Sequence, residues 1–392
     1  MKRILVALAA LWLLPALAAA DLAVTAQVKG DETNQIVLFS AERAADGAEL
    51  SEEEKLAQDM RLMMISGALS MRLGQARAQQ LYDAAQSGAG VSLHQTAYSY
   101  VDEKLASLAI VWQGTQPDGT DACRPYSVTI DLETGFEIGF DQLFADAAGA
   151  VEAMEAIIEN DILDSMNAYI EAADLLPMPT NCFSFDETGL TVYYDDMRYR
   201  MFDGRSGHVT FYWHELAAFI GEDSPVYALS RPQEPSADSI RGANGRFDHA
   251  LLSVHEPLGA AMAAYDLTDE PDYTTYSLLY PLSQPAFRGM AVEIPKYAET
   301  DEEDTPICAV RHSRISWHGL TTGVTTREEV ITLLGEPDDT HLYGEDEAFD
   351  MMLEPGESLL YRCNQAVLQA HLDEDGVLSC LILRDAMPES LY

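Results

Sequence analysis

Residues of the types that do chemistry are thinly spread along this chain. In "FDGRSGHV", Ser206 stands two residues before His208, the nucleophile and base a hydrolase would need. Two apart on a strand they would only share a face, and the G-x-S-x-G elbow that exposes a nucleophile is missing. His214-Glu215 lacks the second histidine of an H-E-x-x-H zinc helix. Acid clusters at Asp195-Asp196, Asp301 to Asp304 and Glu345 to Glu347 offer oxygens to calcium. None has the alternating ligands and central glycine of an EF-hand loop, so they read as solvated loops. No catalytic, metal or cofactor-binding residue is assigned, and the chain reads as non-enzymatic.

A different kind of signal sits in the loop Tyr193 to His208, "YYDDMRYRMFDGRSGH". Tyrosine and arginine concentrate binding energy at interfaces. The candidate partner-binding residues are therefore Tyr194, Asp195, Asp196, Arg198, Tyr199, Arg200, Asp203 and Arg205. The competing expectation is that half of the tyrosines pack inward.

Charge and leader bound the setting. The 392 residues include 65 acidic and 23 basic side chains, a formal charge of −42. Such a chain repels nucleic acid and anionic membranes and attracts basic partners or cations. It opens MKRILVALAALWLLPALAAA: a basic start, a short apolar run and small residues before Asp21 predict a cleaved signal peptide over residues 1–20. The apolar run is shorter than the roughly 20 residues a bilayer span requires. Removing Lys2 and Arg3 takes the formal charge to −44. Export permits disulfides among Cys123, Cys182, Cys308, Cys363 and Cys380, but the number is odd and spacing does not fix connectivity.

Periodicity predicts an α+β protein of antiparallel sheets with packed helices. Strand-like "AVTAQV" and "NQIVLFS" precede a helix start at Ser51-Glu52-Glu53-Glu54, a hydroxyl cap followed by acids at the positive dipole end. That helix runs through Leu56, Met60, Met63 and Met64 toward Tyr82, with Gly67 and Gly74 dividing it into two, and its methionines are expected in the core. In "SVTIDLETGFEIGFDQLF", Val128, Ile130 and Leu132 alternate, Glu133-Thr134-Gly135 turns, and Phe136, Ile138 and Phe140 alternate again. Val151, Met154, Ile158, Ile162, Met166 and Ile170 then mark a long amphipathic helix. Phe183, Phe185, Leu190, Val192, Val209 and Phe211 are the inward candidates of three strands, and His214-Glu215-Leu216 starts a short helix. Residues 233–248 read as a linker.

Beyond it, residues 249–392 look duplicated as helix plus three strands, in units 249–316 and 317–392. Thr325 or Thr326 caps the second helix and Gly335 ends it. Asp375-Gly376 makes the last hairpin turn. Cys308 and Cys380 occupy the third strand of each unit.

In motif order, "TIDLETGFEIGFDQLF", the long helix, "FDETGLTVYYDD" and "GHVTFYWHEL" resemble the extracytoplasmic domain of the anti-sigma factor RsiV, over about residues 98–220. With residues 21–97 as an N-terminal subdomain, the resemblance implies one domain over 21–232. In RsiV this region binds lysozyme, which implies a protein-binding role here and a basic, lysozyme-type partner. The family's Gly-Ala-His segment before the hairpin is replaced by "GTDACRPYSV". Without the sigma-binding segment and retained membrane helix, anti-sigma activity is not expected. "GLTTGVTTREEVITLLGEPD" is similar to the helix-plus-sheet modules of BamE and the β-lactamase-inhibitor proteins. Because RsiV-like domains also accompany polysaccharide deacetylases, the alternative expectation is an accessory domain or enzyme of cell-wall polysaccharide processing. The leading expectation is a secreted or envelope-associated binding protein.

Overall fold

The computed structural model describes residues 22–31, 34–43, 51–88, 90–115, 119, 121–162, 175–194, 207–231, 233–247, 252–265, 271–282, 288–297 and 302–385. The leader expected at 1–20 lies outside them. The chain is α+β, as its periodicity predicts.

Strands β1 (Leu22–Gly30) and β2 (Gln35–Arg43) form an antiparallel hairpin, followed by helices α1 (Glu52–Arg72) and α2 (Gln75–Gln86). β3 (His94–Val101), β4 (Leu105–Thr115) and β5 (Asp121–Asp131) complete a five-stranded sheet in sequence order. The predicted cap of α1 is present. Ser51 Oγ accepts from the Glu54 amide, and Glu54 Oε2 accepts from the Ser51 amide at 2.8 Å. Gly74, at φ +60°, makes the left-handed junction between the helices.

The face that α1 buries differs from the expected one. Ile65 and Leu69 pack with Leu73 against Val24, Val37, Leu108 and Ile130. Met60 and Met63 are 51% and 70% exposed, beside Leu56 at 61% and Met71 at 79%. The helix is apolar on two faces, and the isoleucine–leucine face won the sheet.

β4 is buried on both sides, which explains why "LASLAIVW" is apolar without alternation. Ala106, Leu108 and Ile110 face α1, whereas Leu105 joins a second core and Ala109 and Val111 a third. The other layer is a three-stranded antiparallel sheet lying on β3–β5. The hairpin after β5 forms only partly. Gly135 (φ +77°) turns the chain and Ile130 bridges Glu137, yet Phe136 is 64% exposed instead of alternating inward. Helix α3 (Ala147–Ile157) and a π turn over Ile158–Ile162 follow, with Ala150, Met154 and Ile158 buried. The rest of the long helix expected there falls outside the described residues until Leu175.

The second sheet comprises β6 (Phe183–Phe185), β7 (Gly189–Tyr193) and β8 (His208–Tyr212), then the turn-length helix α4 (Trp213–Leu216). All six inward candidates on these strands are buried. Amides of β6 reach across to the first sheet: Phe183 donates to Ser127 Oγ and Phe185 to Ser107 Oγ, both at 2.9 Å. Helix α5 (Tyr227–Ser230) closes this unit.

The expected linker is largely built in. It contains α6 (Ala237–Arg241), and Ile240, Ala243 and Phe247 pack in the C-terminal core. That core lies under one eight-stranded antiparallel sheet. Helix α7 (Leu258–Tyr265) precedes β9 (Asp272–Tyr273), β10 (Ser277–Pro281), β11 (Met290–Pro295) and β12 (Ala309–His312). A small hairpin, β13 (Ser316–Trp317) and β14 (Leu320–Thr321), intervenes. Helix α8 (Arg327–Leu334) precedes β15 (Asp339–Tyr343), helix α9 (Glu345–Asp350), β16 (Gly356–Arg362), β17 (Ala366–Leu372) and β18 (Leu378–Asp385). The order β15-β16-β17-β18-β12-β11-β10-β9 puts four meandering strands on each side of the β12–β18 pairing, one more per half than the sequence pattern predicts, with α7 in the first half and α8 and α9 in the second. The last strands of the two units pair at the centre, Ala309 opposite Arg384.

Thr326 supplies the α8 cap: its Oγ1 accepts from the Glu329 amide, and Glu329 Oε2 accepts from the Thr326 amide at 2.8 Å. Thr326→Ala is therefore expected to cost about 1 kcal/mol, read as a lower urea midpoint; an unchanged midpoint would show that the cap contributes nothing.

Candidate functional site

Of the loop residues singled out for partner binding, Tyr194 is described and is 1% exposed, packed in the core of the second sheet. Its ring thus belongs to the interior, the outcome foreseen for half of the tyrosines. Asp195, Asp196, Arg198, Tyr199, Arg200, Asp203 and Arg205 lie outside the described residues, as does Ser206. Tyr193 is buried too, its hydroxyl 2.8 Å from Ser184 Oγ. His208 is 5% exposed, its ring centroid 5.4 Å from those of both Tyr98 and Tyr193; it is a core residue.

The acids of α9 are exposed in its first turn, and Glu347 meets His341 at 2.8 Å. Among the described residues no three His, Cys, Asp or Glu side chains gather as a metal site. Cys182, Cys308, Cys363 and Cys380 are free thiols. Burial pushes Cys182 and Cys380 up to about 11 and Cys308 to about 12, so these sulfurs stay protonated and unreactive at neutral pH.

Two polar clusters that sequence reading missed lie on the sheet face away from the C-terminal core. Ser358 and His371 are direct cross-strand partners. Ser358 Oγ lies 2.9 Å from His371 Nδ1 and accepts from Gln369 Nε2 at 2.9 Å. His371 Nε2 meets the Glu354 carbonyl at 2.8 Å, so it carries the proton and Nδ1 accepts from the serine. Burial lowers the His371 pKa. Both residues are 0% exposed, so this serine–histidine contact holds two strands and the loop after α9 together.

Beside it, Glu293 is 1% exposed and ion-paired with Arg311, with Arg384 at 3.8 Å and Ser277 Oγ donating at 2.6 Å. Burial alone would raise the carboxyl, but Arg384 and Arg311 outweigh it and hold the pKa at about 2. Arg311 also donates to the Met351 and Met352 carbonyls at 2.9 and 3.2 Å, clamping the α9 segment over the sheet.

A cleft opens where the N-terminal unit meets the C-terminal sheet. Its walls include Glu187, Tyr212, Trp213, His214, Arg231 and Arg314, and it encloses about 110 Å³. The seam beneath is tied by a buried pair, Glu215 with Arg288, and by the Tyr212 hydroxyl donating to the Arg288 carbonyl at 2.8 Å. Glu215 Oε2 also accepts from the Tyr212 amide at 2.9 Å, capping α4. The Tyr212 and His214 rings stack at 6.0 Å with 8° between planes. Burial lowers the His214 pKa; Glu215 opposes this, and Arg288 and Arg314 reinforce it. The sequence marked His214-Glu215 as a helix start and a failed zinc motif, not as part of a site; Arg231 and Arg314 are far apart in sequence and carried no signal.

No family model matches the chain, and no curated protein matches it. Among solved structures it is similar to a DUF3298 family member from Bacteroides fragilis, at 15% identity and a TM-score of 0.33, covering 54% of this chain and 97% of that one. A DUF3298 protein from Pseudomonas aeruginosa gives 11% identity and 0.29, covering 51% and 95%. A DUF4309 protein from Bacillus subtilis gives 15% and 0.26, covering 38% and 97%.

Because Glu293 has a folded pKa of about 2 against an ordinary value of 4.5, its contribution to stability is complete above the ordinary value. It is lost as pH falls toward the folded one. Glu293→Gln is expected to lower stability at neutral pH by roughly 3–5 kcal/mol, the cost of breaking a buried pair. It should also flatten the acid limb of the urea midpoint; a variant limb as steep as wild type would refute the assignment.

Proposed function

We propose that the chain is an exported, cell-envelope binding module without a catalytic role, and that its partner is a basic protein. The observation that carries this reading is the exposed ridge of α1. Leu56, Met60, Met63 and Met71 lie on the side opposite Ile65 and Leu69, all more than half exposed. Methionine adapts to irregular partner surfaces, and exposed apolar ridges of this kind mark interaction sites.

Charge selects the partner. The first turn of α1 holds Glu52, Glu53 and Glu54 against Lys55, while Asp59 pairs with Arg43, within a chain of net −42. A second copy would bring the same charge and be repelled, whereas a basic surface with an apolar centre gains from both terms. A lysozyme-type protein is the first candidate, following the resemblance to RsiV. The leader over residues 1–20 supports export.

Calorimetric titration of the mature chain with lysozyme at about 0.01 M ionic strength, where charges act over roughly 30 Å, is expected to show binding that weakens with salt. Met60→Glu with Met63→Glu, both at exposed positions, should weaken it by about tenfold or more, a loss of roughly 1.4 kcal/mol. Absence of heat at low salt would remove lysozyme as partner; undiminished binding by the double variant would remove the ridge.

A further inference from the structure

The seam cleft is lined by more cationic than anionic side chains, within an acidic chain. Three of its twelve lining residues, His214, Arg231 and Arg314, can carry a cation, against the single carboxylate of Glu187. Glu215 is already committed to Arg288, so that pair brings no net charge. The two arginines come from different units: Arg231 follows α5, and Arg314 follows β12. Trp213, Tyr212 and Ile315 add apolar walls, and Ser230, Gln233 and Ser316 add polar groups. This composition, apolar walls with a few convergent polar and charged groups, is that of a small-ligand site.

We propose that this cleft binds an oxyanion group, phosphate-, sulfate- or carboxylate-like, held between Arg231 and Arg314 with His214 beside it. A volume of about 110 Å³ is several times the roughly 10–15 Å³ that one water needs by the same measure, so a small oxyanion fits with room for water. Guanidinium groups are suited to the task, because their fork of donors matches paired oxygens. The distant acids oppose an anion weakly, since at physiological salt their field decays over about 8 Å, while the cleft arginines act at contact. The site is independent of the α1 ridge, so binding there neither requires nor excludes a protein partner.

His214 makes the site pH-sensitive. Glu215 on its own helix favours its charged form; burial, Arg288 and Arg314 disfavour it. Arg231 and Glu187 complete the charged groups of the lining. A bound anion adds negative charge beside the imidazole and raises its pKa, so by linkage the anion binds more tightly as pH falls and His214 protonates.

Sulfate tests this cleanly because its own charge is constant from pH 5.5 to 8. Sodium sulfate is titrated into the full chain at fixed ionic strength, following the His214 imidazole resonance, assigned with His214→Gln. The expected result is a saturating shift, a raised His214 pKa, and affinity several-fold higher at the acid end. Arg231→Gln with Arg314→Gln, both exposed positions, should weaken binding by about tenfold, roughly 1.4 kcal/mol. Sodium acetate as a second probe tells a carboxylate preference from a tetrahedral one, saturation by either supporting the site. No saturation with either ion, or equal saturation in the double variant, overturns the proposal.

Discussion

The C-terminal half depends on one buried carboxylate. Glu293 on β11 pairs with Arg311 on the neighbouring β12, and its contact with Arg384 on β18 crosses the line where the first and second halves of the sheet meet. Two helix-plus-meander units could pair their last strands in several registers, since Ala309, Val310, Leu381, Ile382 and Leu383 are all apolar. A slip by one residue would carry Arg384 to the opposite sheet face, among the aliphatic residues of the core, and leave Glu293 with Arg311 alone. That is far more costly than any mismatch among aliphatic side chains. Arg311 holds the Met351 and Met352 carbonyls, so one cluster sets both the strand register and the position of the α9 segment.

Much of this architecture was legible in the sequence, and the failures have physical reasons. Strands with one apolar face announced themselves: Val128, Ile130 and Leu132 alternate with polar residues, and all three are buried. The caps at Ser51 and Thr326 were also readable, because capping is a local interaction between residues three apart. β15 was missed because "DTHLY" is an edge strand, exposed at four of its five residues, and such a strand needs no apolar face. The methionine stripe was misplaced because α1 carries two apolar faces, and periodicity cannot say which one the sheet takes. The 233–247 stretch looked like a linker by composition, yet Ile240 and Phe247 anchor it in the C-terminal core; two well-placed apolar side chains outweigh a polar average.

The candidate site was the least legible feature. Arg231 and Arg314 are brought to one cleft by the docking of two units, and no local pattern encodes docking. Ser358 and His371 were invisible for a similar reason: thirteen positions apart, they become neighbours through the hairpin register of β16 and β17. The aromatic–arginine loop attracted attention by composition, but Tyr193, Tyr194 and His208, at its described ends, are core. Aromatic residues next to a strand end serve packing as readily as recognition.

The buried ionisable groups are each held in one protonation state. A general acid or base works with a pKa near the ambient pH. Glu293 is held at about 2 by its arginines, and the buried thiols at about 11 or 12. His371 is kept neutral by burial while its two nitrogens are engaged by Ser358 and a backbone carbonyl. Each of these groups is pinned in one protonation state by the contacts that make it structural. These interior groups stabilise a scaffold, whereas His214 in the seam is pushed one way by burial, Arg288 and Arg314 and the other way by Glu215.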